Sequence, residues 1–325
     1  MALVLARRHR RSVRARIVVA AVLVVSRTAM AAIALTGPDV TMPVTPPDPV
    51  LAAAGDIACD SATAGFNATF GAGTVCQMRS TSDLLLAIHP DAVATLGDNQ
   101  YENASLAEFD ASFDPTWGRL KPEIHPAIGN HEIETDPTGS GYFRYFGTAA
   151  GDPATGYYSY DLGTWHIVVL NSNCAAVGGC GPGSPEEQWL SGDLAAHPKV
   201  CTLAYWHHPR WTSGEHGNNP LFDAFWQDLY GAGVDVVLNG HDHDYERFAP
   251  QDPRGRLDTT RGIREFVSGT GGSHFESLAI RQPNSEALSQ TFGVLALTLH
   301  ARSYDWRFVP QPGKTFTDAG TSACH

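Results

Sequence analysis

Acidic, amide and imidazole side chains follow several apolar runs of this sequence in short clusters. The residues concerned are Asp56, Asp98, Asn130 with His131, His207 with His208, and His241 with His243. One such residue after a strand is usually a turn former or a satisfied hydrogen-bond partner. Several of them converging on one edge of a sheet would be costly to bury unless something paired them. Because the donors are oxygen and imidazole, with no cysteine, the clusters predict bound iron, zinc or manganese.

The segment LGDNQYENAS, residues 96–105, adds a phenol to these clusters. A turn accounts for its Gly-Asp-Asn part. Tyr101, three residues after Asp98, needs either a place in the core or a ligand to bind.

Six short apolar runs predict the strands that hold this site. They are VLAAAGD, AVATLGDN, HPAIGNHE, HIVVLNSN, CTLAYWHHP and VDVVLNGHDH. Short apolar runs bounded by turn residues favour buried strands. Helix-like stretches at 80–89, 184–197 and 220–233 lie between several of them, and Ser184 before Pro185 is a good helix start. Strand alternating with helix predicts an α/β fold whose sites lie beyond the carboxyl ends of the strands.

Later in the chain, residues 292–310 have the pattern of a hairpin. This hairpin predicts a second, more antiparallel sheet.

Length and charge limit the classes of function. The 325 residues allow one large domain or two small ones, and a hydrophobic content of 43% supports a substantial core. The first 38 residues contain seven arginines and no acid. Of the 22 basic residues 15 then remain against 34 acids, so residues 39–325 carry a formal charge of 15 − 34 = −19. Such a charge repels phosphate backbones and disfavours a nucleic-acid partner.

The N-terminal region has the order of an export signal. Its arginines precede the nine apolar residues IVVAAVLVV at 17–25 and small residues around TAMAA at 28–32. This predicts a signal peptide over residues 1–35, with a weak membrane anchor over 17–35 as the alternative. Residues 36–49 contain five prolines and predict an extended tether, and one folded domain is expected over 50–325. The predicted location is secreted or in the cell envelope, with membrane contact only through an uncleaved N-terminal segment.

Six cysteines fit an exported protein with up to three disulfides. Six cysteines allow 15 connectivities. The pairing expected here is Cys174 with Cys180, which flank a short glycine-rich loop, Cys59 with Cys76, and Cys201 with Cys324.

Taken in order, the clusters resemble the five motif blocks of calcineurin-like metallophosphoesterases, and more narrowly the purple acid phosphatase branch. The blocks are Gly55-Asp56, Gly97-Asp98-Asn99-Gln100-Tyr101, Gly129-Asn130-His131-Glu132, Ala204-Tyr205-Trp206-His207 and Gly240-His241-Asp242-His243. Each block is short, but five in the right order make a specific match. The resemblance covers roughly Val50 to Pro310. It implies a four-layer αββα sandwich of two mixed β-sheets with a two-metal site at its edge.

In most members of this family the first block reads Asp-x-His, and its histidine binds the first metal. Here Ala58 stands at that place. The purple branch supplies a tyrosinate from the second block instead, and Tyr101 lies at that position. The resemblance implies that Asp98 bridges two ions, with Asp56, Tyr101 and His243 on the first and Asn130, His207 and His241 on the second. A phenolate with two carboxylates favours Fe(III), and the second set suits divalent iron, zinc or manganese.

The resemblance also implies roles around bound phosphate. His131 would stabilise the phosphate charge and protonate the leaving group, and Glu132 would orient it through a hydrogen bond. His216 in SGEHGNN matches in spacing a phosphate-contacting histidine of plant relatives, with a solvent-facing histidine as the equal alternative. His208 is expected to pack or to support the ligands. His274 is expected at the surface, with a place in the cleft as the alternative.

The implied reaction is hydrolysis of phosphate monoesters by a metal-bound hydroxide, as in acid phosphatases, on a small phosphorylated substrate. The alternative is phosphodiester hydrolysis by the same metal pair. A further alternative is a non-catalytic exported protein whose metals only stabilise its structure, as a structural staple. The physiological substrate, the second metal and the oligomeric state stay open.

Overall fold

The computed structural model describes residues 47–325. The predicted signal peptide or anchor at 1–35 and most of the predicted tether therefore lie outside the described residues. Residues 47–49 carry no regular structure, and the first strand begins at Val50. Among residues 47–325, no helix is long and apolar enough to cross a bilayer.

Within the same range, thirteen strands form two mixed sheets. They are β1 (Val50–Ala54), β2 (Ala92–Leu96), β3 (Ile124–Ala127), β4 (Tyr158–Leu162), β5 (Trp165–Val169), β6 (Thr202–Tyr205), β7 (Val236–Asn239), β8 (Tyr245–Phe248), β9 (Arg264–Ser268), β10 (Ser285–Ser289), β11 (Gly293–Leu299), β12 (Ser303–Pro310) and β13 (Ala319–Ala323). The first sheet has the order β13-β12-β11-β1-β2-β3, and the second has the order β10-β8-β9-β7-β6-β5-β4. The centre of each sheet is parallel: β1, β2 and β3 in the first, and β5, β6, β7 and β9 in the second.

Helices cover the outer face of each sheet. The α-helices are α1 (Met78–Ile88), α2 (Leu106–Glu108), α3 (His131–Glu134), α4 (Ser140–Phe146), α5 (Pro185–Ala196) and α6 (Asp223–Ala232). Shorter 3₁₀ and π turns lie at Asn67–Thr69, Phe109–Phe113, Trp117–Glu123, Gly147–Ala150 and Pro220–Phe222. The three predicted helices correspond to α1, α5 and α6, and α5 begins as expected with the Ser184 side chain accepting from the Glu187 N–H.

Alternating side chains of the central strands build three apolar interfaces. In β1, Leu51 and Ala53 face the second sheet, whereas Ala52 and Ala54 pack under the helices of the first. In β5, Ile167 faces the first sheet and Val168 packs under α5 and α6. Because both faces of each sheet are buried, the runs are apolar throughout rather than alternating. The order helices, sheet, sheet, helices confirms the expected αββα sandwich.

The expected sheet assignment of the later hairpin is wrong. Residues 292–310 do form a hairpin, β11 and β12, but β11 pairs antiparallel with β1 in the first sheet. The six apolar runs are all strands, as predicted, and they divide equally between the two sheets. An apolar run shows that a strand is buried, but not which of two facing sheets it joins.

All three predicted disulfides are confirmed. Cys59 is bonded to Cys76, Cys174 to Cys180, and Cys201 to Cys324.

Candidate metal centre

The predicted ligands follow the carboxyl ends of parallel strands in both sheets. Asp56, Asp98 and Asn130 come after β1, β2 and β3, and His207, His241 and His243 come after β6 and β7. The donors therefore meet between the two sheets. The first expectation from the sequence, that they converge on one edge of a single sheet, is corrected. The chain turns sharply at three of them, since Asp56, Asp98 and His241 have φ angles of 60°, 45° and 71°. Such left-handed conformations are uncommon for residues other than glycine, although Asp and His adopt them more often than most, and they concentrate at functional sites.

Glycines beside the ligands make room for the donor groups. A Cβ at Gly240 would lie 2.6 Å from Asp56 Oδ2. A Cβ at Gly129 would overlap the Asp98 carboxylate. Gly129 and Gly240 are thus required by the close approach of backbone to carboxylate, and Gly97 by its contact with the His207 ring.

The first donor set surrounds the Tyr101 phenol. Its oxygen lies 3.0 Å from Asp56 Oδ1, 3.2 Å from Asp98 Oδ2 and 3.0 Å from His243 Nε2. His243 Nε2 is in turn 3.3 Å from Asp56 Oδ1. The His243 Nδ1 contacts the carbonyl of His274 at 3.0 Å, which leaves Nε2 directed at the other donors. Tyr101 is buried, at 2% exposure, but its hydroxyl points into the site and not into the core.

The second donor set surrounds His207 Nε2. This nitrogen lies 3.0 Å from Asn130 Oδ1, 3.2 Å from His241 Nδ1 and 3.3 Å from Asp98 Oδ2. Its other nitrogen, Nδ1, donates to the carbonyl of Leu96 at 2.8 Å, which fixes the ring orientation. The same oxygen, Asp98 Oδ2, therefore borders both sets.

The ionisable groups of the two donor sets are arranged so that cations would stabilise them. Burial opposes ionisation of Asp98, yet the adjacent His207 lowers the pKa of that carboxyl below its usual range. Burial would lower the pKa of His207 as well, but Asp98 raises it to about 10. Burial and the neighbouring Asp56 and Asp98 raise the pKa of Tyr101 well above its ordinary value. Two nearly inaccessible carboxylates with phenol, amide and imidazole donors within about 3 Å fit a pair of hard to borderline metal ions.

His131 stands beside the shared carboxylate with its ring partly open to solvent. Its backbone N–H donates to Asp98 Oδ1 at 3.0 Å, and its Nδ1 contacts the carbonyl of Glu102 at 2.9 Å. Its Nε2 lies 3.9 Å from Asp98 Oδ2. Although burial opposes protonation, Asp98 and the carbonyl of Glu102 raise the pKa of His131.

The expectation that Glu132 orients His131 through a hydrogen bond is wrong. The Glu132 carboxylate instead accepts from the backbone N–H groups of Asp98 at 3.0 Å, Asn99 at 2.7 Å and Gly129 at 2.6 Å. Burial and the charge of Asp98 raise the pKa of Glu132 to about 7. Glu132 therefore ties together the turns that carry the second and third motif blocks.

A cleft of about 330 Å³ opens over both donor sets. It is lined by Asp98, Tyr101, Glu102, Asn130, His131, His216, His241, His243, His274 and Glu276. His216 faces this cleft: its ring centroid lies 4.0 Å from that of His241, and its Nδ1 is 3.0 Å from Asp242 Oδ1. His274 also lines the cleft and is half-buried, which corresponds to the alternative given for it and not to the expected surface position. Glu102 and Glu276 were not predicted from the sequence. Glu276 belongs to a loop after β9 whose path no strand or motif defines, and Glu102 directly follows Tyr101, the last residue of the second motif block.

The Nδ1 atom of His208 contacts a serine and does not face either donor set. Its Nδ1 lies 2.7 Å from the hydroxyl of Ser172, which follows β5. Burial and the adjacent His207 lower the pKa of His208 to about 3, so its ring is neutral. This agrees with the expected packing or supporting place.

Known proteins resemble this chain in sequence and in fold. The sequence model described as calcineurin-like phosphoesterase matches residues 51–245, more than half of the chain. Purple acid phosphatase 15 of Arabidopsis thaliana is 28% identical over 211 residues, which are 54% of this chain and 39% of that protein. This chain thus spans about two fifths of the length of that relative.

Two solved structures share the fold. Purple acid phosphatase PPD1 from yellow lupin (Lupinus luteus) seeds has a TM-score of 0.69 at 17% identity, covering 85% of this chain and 53% of that one. GAP50, described as the anchor in the inner membrane complex of Plasmodium, has a TM-score of 0.62 at 12% identity, covering 86% of this chain and 90% of that one. At such identities the likeness shows the fold alone. Relatives found by sequence include purple acid phosphatases, and the match over residues 51–245 shows that the chain belongs to the calcineurin-like phosphoesterase family.

Proposed function

We propose that this protein is an exported, metal-dependent phosphatase that hydrolyses small phosphate monoesters. The observation that carries the proposal is the pair of donor sets that meet at one oxygen, Asp98 Oδ2, at the base of a cleft. A carboxylate shared in this way would suit a pair of metal ions.

Each donor set is assigned to one ion. The first ion would be held by Asp56, Tyr101 and His243 and is proposed to be Fe(III), because phenolate and carboxylate oxygens are hard, anionic ligands. The second would be held by Asn130, His207 and His241 and is proposed to be Fe(II), Zn(II) or Mn(II). Asp98 would touch both. When bound, the ions supply the Lewis acidity that activates water and offsets the charge of the phosphoryl oxygens.

The chain's own residues supply protons and orientation. With Nδ1 of His131 donating to the carbonyl of Glu102, a second proton on Nε2 can pass to the departing alcohol. Asp98 and the carbonyl of Glu102 raise the pKa of His131, which favours this second proton. His216 holds Nδ1 against Asp242, which leaves its Nε2 for a phosphate oxygen.

Export is supported by the three disulfides together with the predicted signal peptide. The strong negative charge of residues 39–325 agrees with a small substrate rather than a nucleic acid.

The proposal is tested by comparing an aryl phosphate with a bis-aryl phosphate, using wild type and His131→Ala with measured metal content. We expect the aryl phosphate to be the better substrate, and His131→Ala to lower its kcat roughly 10²- to 10⁴-fold at unchanged metal content. The matched control is His300→Ala, at the turn between β11 and β12, which should keep wild-type kcat. A faster reaction with the bis-aryl phosphate would favour the diesterase alternative. Turnover unaffected by His131→Ala would refute the mechanism, and a metal-loaded protein without turnover would favour the structural staple.

A further inference from the structure

A second group of imidazole and carboxylate donors lies at the opposite end of the second sheet. His166, Asp193 and His197 each offer one donor atom, and the three atoms lie within 4.8 Å of one another. His166 is the second residue of β5 and pairs with Thr202, the first residue of β6. The candidate metal centre lies beyond the other ends of these strands, so the two groups are separate.

Regular elements hold the three side chains in place. Asp193 and His197 are one turn apart on α5, with His197 as its C-cap. On β5, His166 is the cross-strand partner of Asp161 on β4. Donors on a helix and a paired strand are fixed more firmly than donors on loops.

The donor atoms lie nearly as close to one another as those of the candidate metal centre, or slightly closer. His166 Nε2 is 2.8 Å from Asp193 Oδ2, and His197 Nδ1 is 3.2 Å from Asp193 Oδ1. In the centre between the sheets the corresponding distances are 3.0 to 3.3 Å. Ligands about 2.0 to 2.2 Å from one zinc ion in tetrahedral geometry lie roughly 3.3 to 3.6 Å apart. The contact between His197 and Asp193 is near this range, and the one between His166 and Asp193 would lengthen by about 0.5 Å when an ion binds.

Hydrogen bonds around the three donors have the pattern that supports metal ligands. His166 Nδ1 lies 3.0 Å from Asp161 Oδ1, and a proton on Nδ1 that is donated to this carboxylate would leave Nε2 free toward Asp193. Ser159 donates to Asp193 Oδ1 at 2.8 Å. A histidine that binds a metal usually donates its other N–H to a carboxylate, and a binding carboxylate is usually hydrogen-bonded itself.

If the ring proton of His166 lies on Nδ1, then Nε2 is an acceptor that faces another acceptor, Asp193 Oδ2, at 2.8 Å. Two such atoms repel each other, so either a second proton or a cation must lie between them. His197 can supply a further ligand at little cost. Its Nδ1 contacts the Asp193 carbonyl at 2.9 Å, but the backbone N–H of His197 already satisfies that carbonyl at 3.0 Å.

We propose that His166, Asp193 and His197 form a zinc-type site that binds one divalent ion in addition to those of the cleft. Two neutral imidazoles and one carboxylate are the ligand types of zinc, and they leave a fourth position for water. The His166 side chain is only 2% exposed, whereas that of His197 is 45% exposed and gives the ion access from solvent. His197 lines a cleft of about 480 Å³ between α5 and α6, through which the ion enters. The bound ion ties the β4–β5 edge of the second sheet to α5.

The test uses the full chain with its cleft ions already loaded, titrated with Zn²⁺ against a chromophoric chelator. We expect one further zinc ion per chain in wild type and none in His197→Ala or Asp193→Asn. The matched control is Gln227→Ala, an exposed polar residue of the same 480 Å³ cleft, which should bind the ion as wild type does. At a hundredfold excess of Zn²⁺ over its Kd, Tm should rise roughly 5 °C in wild type and not in His197→Ala.

Equal zinc content in all four proteins, with no Tm difference, would show that a proton and not a metal joins His166 to Asp193. Activity is not used as the readout, so the result is independent of the proposed phosphatase function. Because His197 is largely exposed, His197→Ala tests the site even if the Asp193 variant folds poorly.

Discussion

Tyr101 combines a buried phenol with two carboxylates and an imidazole around its oxygen. Its position follows from the backbone, since the N–H of Tyr101 donates to the carbonyl of Ala58 at 2.8 Å, and the N–H of Ala58 donates to that of Asn99 at 3.0 Å. These bonds align the first and second motif blocks side by side. Because Ala58 is small, the phenol of Tyr101 can occupy the space that a histidine at position 58 would fill. The raised pKa of Tyr101 means that the phenol keeps its proton until a cation displaces it.

Replacing this phenol gives a residue-scale prediction. Iron-loaded wild type should show a visible tyrosinate-to-Fe(III) charge-transfer band, and Tyr101→Phe should abolish it, because a phenyl ring has no oxygen to coordinate. The control is Tyr157→Phe, which removes a half-buried phenol elsewhere. Spectra are recorded on samples whose iron content has been measured. A colourless wild type that contains Fe(III), or a band that survives in Tyr101→Phe, would return Tyr101 to a packing role.

At the scale of residues, the sequence predicted the site residues that follow strands but not those that lie on loops. Asp98 and His207 could be found because each follows a strand, and parallel strands bring their carboxyl ends together. Glu276 could not, since the irregular segment after β9 has no periodicity that fixes its path. His274, in the same segment, was placed at the surface for the same reason. Glu132 was assigned the wrong partner, because its neighbour His131 is closer in sequence than the turns that it binds.

At the scale of elements, the start of α5 contains a conflict between capping and burial. Ser184 and Pro185 begin the helix as their types predict. The next residue, Glu186, is fully buried, and its Oε1 accepts from the Asn171 N–H at 2.6 Å. Among the described residues its Oε2 has no hydrogen-bond partner. Burial therefore raises the pKa of Glu186 to about 8.

This pKa predicts a pH-dependent effect of Glu186→Gln. The unfolded chain releases the Glu186 proton near its ordinary pKa of 4.5 and the folded chain only near 8, so wild-type stability falls between these pH values. Glutamine keeps the acceptor for Asn171 and does not titrate. Relative to wild type, Glu186→Gln should gain roughly 2 to 5 kcal/mol of unfolding free energy between pH 4.5 and pH 8. Urea unfolding at the two pH values measures this difference in unfolding free energy. The values at pH 4.5 are the internal control, because Glu186 is protonated there in the folded protein. An equal difference at both pH values would contradict the account.

The six apolar runs and three helices were predictable because strand and helix lengths leave a clear apolar pattern. Their assignment to two sheets was not, since it depends on which strands meet side by side after folding. The β11–β12 hairpin illustrates this, because its sequence pattern does not indicate which sheet it joins. Pairing with β1 is decided by long-range register, which no local pattern contains.

At the scale of the whole molecule, the two sheets are joined by a covalent bond as well as by their shared core. Cys201 lies just before β6 of the second sheet, and Cys324 lies just after β13 of the first. This disulfide spans 123 residues, whereas Cys174 and Cys180 are only 6 apart. Each pair has one buried and one half-buried cysteine, which makes them a matched comparison.

Removing each cross-link should therefore cost different amounts of stability. A disulfide restricts the unfolded chain more when it closes a longer loop, by about 2 kcal/mol for a loop of this shorter length and about 5 kcal/mol for the longer. We expect Cys201→Ala with Cys324→Ala to lower the unfolding free energy roughly 3 kcal/mol more than Cys174→Ala with Cys180→Ala. Urea unfolding of the two double variants and wild type, at equal metal content, measures the difference. Equal losses would mean that the unfolded chain gains no freedom from the longer loop, and that the shared core alone holds the two sheets together.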